Sequence, residues 1–115
     1  MSYMLLIVEP QGQRMTRRAQ EGLGLYQRML DYTESLKARG VLMASDSLRS
    51  AAARLSVRAG RRSVIDGPFV ESKELVGGFF LLDCGTREQA LRLAAECPAA
   101  EWATIEVREV GPCYE

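Results

Sequence analysis

Histidine is absent from all 115 residues. Its absence removes the usual general base near neutral pH, the usual partner of a serine or cysteine nucleophile, and the commonest transition-metal ligand. Cysteine is scarce: Cys84, Cys97 and Cys113 are odd in number and form no CxxC pair. Neither a disulfide framework nor a thiolate metal site is expected, and Cys84 and Cys97 read as small core residues. Net charge is missing too, since 15 basic residues balance 15 acidic ones. The chain as a whole therefore has no electrostatic reason to seek nucleic acid or an acidic membrane. No apolar run approaches the roughly 20 residues a bilayer span needs. No charged-then-apolar signal segment opens the chain, so a cytoplasmic protein is expected. No metal and no cofactor are expected either, because no spaced acidic loop for a hard cation is visible. Any chemistry falls to carboxylates, Lys, Arg, Tyr, Cys or backbone amides.

What is present suits one soluble domain, 1–115. Apolar residues reach 47 % although aromatics are only 7 %, enough for a core with a small stability reserve. "YMLLIVE" (3–9) has the length and composition of a buried strand. Pro10-Gln11-Gly12 ends it. The spacing of Leu23, Tyr26, Met29, Leu30, Thr33 and Leu36 predicts a helix over about 17–39, with Thr16 as its cap and Gly40 as its left-handed end. "VLMAS" (41–45) reads as a short strand, and "ARLSVRAGRRSVI" (53–65) as two strands about an Ala59-Gly60 turn. "GGFFLLDC" (77–84) is a further strand; Thr86 caps a second helix, 87–96, which Cys97-Pro98 stops. "ATIEVREV" (103–110) closes the series.

This order is the ferredoxin-like βαββαβ pattern with an inserted β-hairpin: an antiparallel sheet with two helices on one face. "YMLLIV" and "GGFFLLD" are apolar on both faces and read as central strands, whereas "TIEVRE" alternates and reads as an edge. Two helices cover one sheet face only. The other is apolar as well, so a homodimer packed sheet on sheet is expected, covering Leu6, Val8, Phe80 and Leu82 or their opposite-face counterparts.

"YMLLIVE", "VIDGPFVESKELVGGFFLLD" (64–83) and "CPAAEWATIEVREV" (97–110) resemble, from Tyr3 to about Val110, the DGPF branch of the YCII-related family. The resemblance implies a dimeric α+β barrel. The wider superfamily includes small-molecule isomerases, monooxygenases and dehalogenating enzymes. Most DGPF proteins have no established activity, and some are encoded beside extracytoplasmic-function sigma factors. A histidine–aspartate pair proposed as catalytic in the wider group cannot be carried over to a chain without histidine.

The segment Asp66-Gly67-Pro68-Phe69 is the strongest local signal. An Asp in a turn commonly accepts the N–H two residues on, but here that residue is Pro68, which has none. Pro68 also restricts Gly67, so the loop is stiff. Asp66 must accept from further along or face a cavity. Glu71 and Glu74 add carboxylates that a shared pocket could separate into acid and base. The candidate catalytic residues are therefore Asp66, Glu71 and Glu74. The candidate ligand-binding residues are Asp66, Gly67, Pro68, Phe69, Lys73, Gly77 and Gly78. A solvated corner with a weak surface ion pair is the bland alternative. Tyr3, Tyr26, Tyr32 and Trp102 belong to the core or to a pocket wall. Arg49, Arg54, Arg58, Arg61 and Arg62, without an acid among them, make either a solvated hairpin or a site for an acidic partner, and without interleaved aromatics they make a poor nucleic-acid site. Two functional readings follow. One is cofactor-independent proton transfer on a small molecule, or its binding, by carboxylates near Asp66; the other is a noncatalytic regulatory module linked to a sigma factor. A bare structural dimer is the third.

Overall fold

The computed structural model describes residues 1–69 and 71–114. β1 (Ser2–Pro10) buries its odd-numbered residues and leaves Met4, Leu6 and Val8 half-buried on the other face. β5 (Glu74–Asp83) runs antiparallel to it, with Tyr3 opposite Leu82, Leu5 opposite Phe80 and Leu6 opposite Phe79. β2 (Leu42–Ser47) and β6 (Thr104–Glu109) are the edges of a four-stranded sheet ordered β2-β5-β1-β6. Apolar side chains on both faces of β1 and β5 explain their central place. In β6 only Ile105 and Val107 are half-buried, while Thr104, Glu106 and Arg108 are exposed.

α1 (Ala19–Ala38) and α2 (Arg87–Ala95) give the buried face its cover. Tyr32 and Leu36 from α1 and Ala90, Leu93 and Ala94 from α2 share one core with Tyr3, Leu5, Phe80 and Leu82. Leu5, Leu36 and Leu82 are fully buried, each worth about 1.5–3 kcal/mol of transfer free energy. The Tyr32 ring meets Phe80 edge-on at 5.2 Å, and its hydroxyl donates to the Leu93 carbonyl at 2.6 Å, tying the helices together. Burial pushes this phenol well above its ordinary range. The mixed α+β architecture, two helices against an antiparallel sheet, is as the sequence leads one to expect. Among the described residues no helix is long and apolar enough to cross a membrane.

Local expectations met different fates. Thr86 caps α2, accepting from the Gln89 N–H at 3.1 Å, and Gly40 ends α1 with φ of 72°. Thr16 does not cap α1. It ends a 3₁₀ turn, Gln13–Thr16, and donates to the Gln13 carbonyl, so the helix starts at Ala19. The apolar stripe also differs in phase. Leu25, Met29, Tyr32, Thr33 and Leu36 face inward, whereas Leu23 and Tyr26 are 69 % and 51 % exposed. The first half of α1 carries apolar residues at two phases, and spacing alone cannot choose between them.

β3 (Ala53–Arg58) and β4 (Arg61–Asp66) form their own two-stranded sheet. Ala59 and Gly60 at the turn have φ of 52° and 76°, the left-handed pair that matches hairpin twist. Leu55, Val57, Val64 and Ile65 are exposed on this hairpin. The molecule measures 46 × 43 × 18 Å, with a radius of gyration of 16.0 Å, against about 13 Å for a compact chain near this length. The sheet's uncovered face carries Met4, Leu6, Val8, Phe79 and Leu81. Directly opposed residues share a face, so the expected grouping of Leu6 and Val8 with Phe80 and Leu82 is corrected: Phe80 and Leu82 pack under the helices.

Candidate functional site

The buried side of β1 runs Tyr3, Leu5, Ile7 and then Glu9, a carboxylate only 5 % exposed. Opposite it β5 carries a bulge. Ile7 pairs with Gly78 and Val8 with Val76, so Gly77 is the extra residue. A Cβ on Gly77 would collide with Glu9 Oε2 and lie 2.7 Å from Arg14 Nη2. Only glycine leaves room for this pair. Arg14 comes from the 3₁₀ turn. Its Nη1 donates to the Leu48 carbonyl at 2.6 Å and its Nη2 to the Gly77 carbonyl at 3.2 Å. Its Nε stands 2.6 Å from Glu9 Oε1. That approach is an ion pair without hydrogen-bond alignment, and among the described residues Oε1 has no hydrogen-bond partner.

Glu9 lines a cavity of about 670 Å³ between the sheet and the first half of α1. Its apolar wall includes Tyr26, Met29, Phe80 and Trp102. Trp102 is held by Gln13, whose Nε2 donates to its carbonyl at 2.8 Å, and lies beneath the guanidiniums of Arg17 and Arg28 at 5.8 and 5.6 Å. Arg28 in turn pairs with Glu101, holding that carboxyl below its usual range. Four arginines (Arg14, Arg17, Arg18, Arg49) face two carboxylates (Glu9, Asp46) around the cavity. This combination suits a ligand with an apolar body and a few polar anchors.

The residues singled out in the sequence divide between two places. Gly67, Pro68, Phe69 and Glu74 border a second cavity of about 560 Å³, whose walls include Val8 and Val76 from the sheet's uncovered side. The Gly67 N–H donates to the Ala52 carbonyl at 2.8 Å and closes the base of the hairpin, and the Gly67–Pro68 peptide is cis. Arg54 lies 3.7 Å from the Phe69 ring centre, donates to Ser72 Oγ at 2.9 Å and pairs with the exposed Glu71 at 3.4 Å. Asp66 is exposed at the end of β4, and neither Asp66, Glu71 nor Lys73 lines either cavity. Gly77 and Gly78 belong to the Glu9 cavity. A Cβ on Gly78 would stand 3.0 Å from the Asp46 carbonyl, so that glycine serves the close approach of β2 to β5. Tyr3 and Tyr32 are core.

Glu9 and Arg14 were not among the sequence candidates. The alternation of β1 carried one step past its apolar run would have found Glu9. Arg14 reaches the site from a turn, and nothing local in the sequence marks it. Val70, within the quoted segment, lies outside the described residues.

The thiols offer no nucleophile at the cavity. Burial pushes Cys97 up to about 11 and also raises Cys84, whereas Cys113 is exposed. In native protein at mildly alkaline pH, a thiol-reactive chromophore should modify Cys113 promptly, and Cys84 and Cys97 only after denaturation. Mass spectrometry of the labelled peptides checks this, and prompt native labelling of Cys97 would contradict its placement. Among the described residues no group of three or more Cys, Asp or Glu is placed to hold a metal ion.

The YCII-related domain is matched over residues 1–113. An uncharacterised protein of Rhizobium meliloti (strain 1021) is 44 % identical over 64 residues, covering 54 % of this chain and 52 % of that relative. The match thus spans about half the length of the curated relative.

Proposed function

This chain belongs to the YCII-related domain family, and on that premise we propose that it binds a small molecule in the Glu9 cavity and uses this carboxylate for cofactor-independent proton transfer. The observation that carries the reading is Glu9 itself: a buried carboxylate, lining a cavity, with one oxygen lacking a hydrogen-bond partner among the described residues. A positioned carboxylate takes a proton from a C–H or O–H of the bound molecule. Returning it to a neighbouring atom gives isomerisation, and departure of a leaving group gives elimination. Arg14 holds the carboxylate in place, and the Gly77 bulge supplies the room. On this proposal the carboxylate that works is Glu9 rather than the expected Asp66, and the DGPF segment borders the hairpin base and the second cavity.

We propose further that the sheet's apolar outer face is covered by a second copy of this chain. The chain is a DGPF-branch protein with the ferredoxin-like arrangement, dimerising sheet on sheet as an α+β barrel. The half-buried Met4, Leu6, Val8, Phe79 and Leu81 support it, since an apolar sheet face left in water is unfavourable. A noncatalytic regulatory role is the second reading, favoured by the exposed Arg58, Arg61 and Arg62 on the projecting hairpin.

The test is solvent deuterium uptake into small carbonyl compounds, 2-oxobutyrate and butanone, followed by NMR. The wild-type chain and Asp66→Asn should accelerate uptake into at least one of them, and Glu9→Gln should not. Uptake that survives Glu9→Gln and disappears in Asp66→Asn would return the chemistry to the DGPF segment.

A further inference from the structure

Two parts of the Glu9 cavity's lining differ in polarity, and together they specify a ligand. One is the Glu9 carboxylate, which lines the cavity while its Oε1 is buried against Arg14 Nε at 2.6 Å without hydrogen-bond alignment. The other is the start of α1. Arg18, the residue preceding the helix, supplies no side-chain cap to its first turn, and Arg17, Arg18, Ala19 and Gly22 all line the cavity. Uncapped first-turn N–H groups and the helix dipole favour an anion there. Arg49 adds a further cation from the segment after β2. Arg17 is engaged with Gln13 Oε1 at 3.1 Å and with Trp102, but among the described residues neither Arg18 nor Arg49 has an ion-pair partner. Glu21, the acid of the first helical turn, is exposed and is not part of the lining.

We infer that the cavity takes a small organic carboxylate that also carries a hydrogen-bond donor, its anionic end at the start of α1 and its donor at Glu9. This rests on the Glu9 reading and adds the ligand's charge and orientation. A neutral ligand would leave Arg18 and Arg49 unanswered. A simple inorganic anion would leave Glu9 without a donor and the Tyr26–Met29–Trp102 wall without apolar cover. Guanidinium–carboxylate pairing orients the molecule, because arginine presents paired donors that match a carboxylate. The donor end is then the group whose proton Glu9 can take.

Isothermal titration with matched probes tests the assignment at constant ionic strength. Mandelate carries a carboxylate, a hydroxyl donor and an aromatic body; mandelamide lacks the charge and phenylacetate lacks the hydroxyl. Lactate and lactamide form a smaller pair. At least one carboxylate should bind about tenfold or more tightly than its amide, a difference of about 1.4 kcal/mol. In Arg18→Ala/Arg49→Ala that preference should shrink several-fold. Glu9→Leu should remove the advantage of mandelate over phenylacetate while keeping the preference for charge. Amides binding as tightly as their carboxylates, or no carboxylate binding at millimolar concentration, overturns the inference. Loss of deuterium uptake in Glu9→Gln would still stand in that case, so the failure of the ligand class is distinguishable from failure of the Glu9 site.

Discussion

Arg14→Met should cost the fold about 3–5 kcal/mol, the penalty for leaving a buried charge without its partner. Glu9 is 5 % exposed and Arg14 Nε is the cation beside it, at 2.6 Å. The methionine keeps most of the stem but removes the charge, and it also strips donors from the Leu48 and Gly77 carbonyls. Against a total of about 5–15 kcal/mol for a domain, that is a large fraction. The melting temperature should fall by on the order of 10–20 °C. Adding Glu9→Gln to the same chain should restore much of it, because a neutral pair avoids the uncompensated charge. Urea unfolding of the two single variants and the double variant checks this. A single-variant loss below about 1 kcal/mol, the scale of an exposed pair, would mean that Glu9 does not depend on Arg14.

Gly77→Ala should destabilise by up to the same magnitude, for a separable reason. Glycine to alanine in an extended segment normally helps by about 0.5–1 kcal/mol. Here the new methyl falls into the Glu9 carboxylate and the Arg14 guanidinium, the free ends of two side chains, which must swing apart. The cost is then that of the broken pair, about 3–5 kcal/mol at most. In a Glu9→Ala background the same substitution should be close to neutral or mildly stabilising. Such a double-mutant cycle isolates the coupling, expected at about 2–3 kcal/mol. Gly78→Ala supplies the contrast. Its Cβ meets the backbone of Asp46 and Ser47, which Glu9→Ala cannot relieve. Additive losses for Gly77→Ala and Glu9→Ala would show that the bulge does not exist for this ion pair.

Much of the frame was legible because strand faces announce their surroundings. Apolar residues on both sides of "YMLLIV" and "GGFFLLD" require cover on both sides, and alternation in "TIEVRE" does not. The Ala59-Gly60 turn was legible from local chemistry. What stayed hidden depends on distant parts of the chain. Leu23, Tyr26 and Leu30 repeat as regularly as the buried stripe of α1, yet Leu23 is exposed while Tyr26 and Leu30 border the cavity. The DGPF segment attracted attention because its residues are unusual side by side. Glu9 looked like the end of a strand, and Arg14 like one cation among several after a turn. The bulge that unites them is a mismatch between two strands far apart in sequence, which neither strand displays alone.

The projecting hairpin should open as a unit of its own. Among the described residues β3 and β4 pair only with each other; the Gly67 N–H on the Ala52 carbonyl closes the hairpin's base, and Arg54 reaches from it to Phe69 and Ser72. An isolated two-stranded hairpin is marginal in water. It can therefore open at a free energy near the low end of the local-unfolding range while the core beneath the helices stays closed. A melting curve reports the larger unit and is nearly blind to the smaller. The ordering entropy of those residues remains to be met by whatever the hairpin eventually touches.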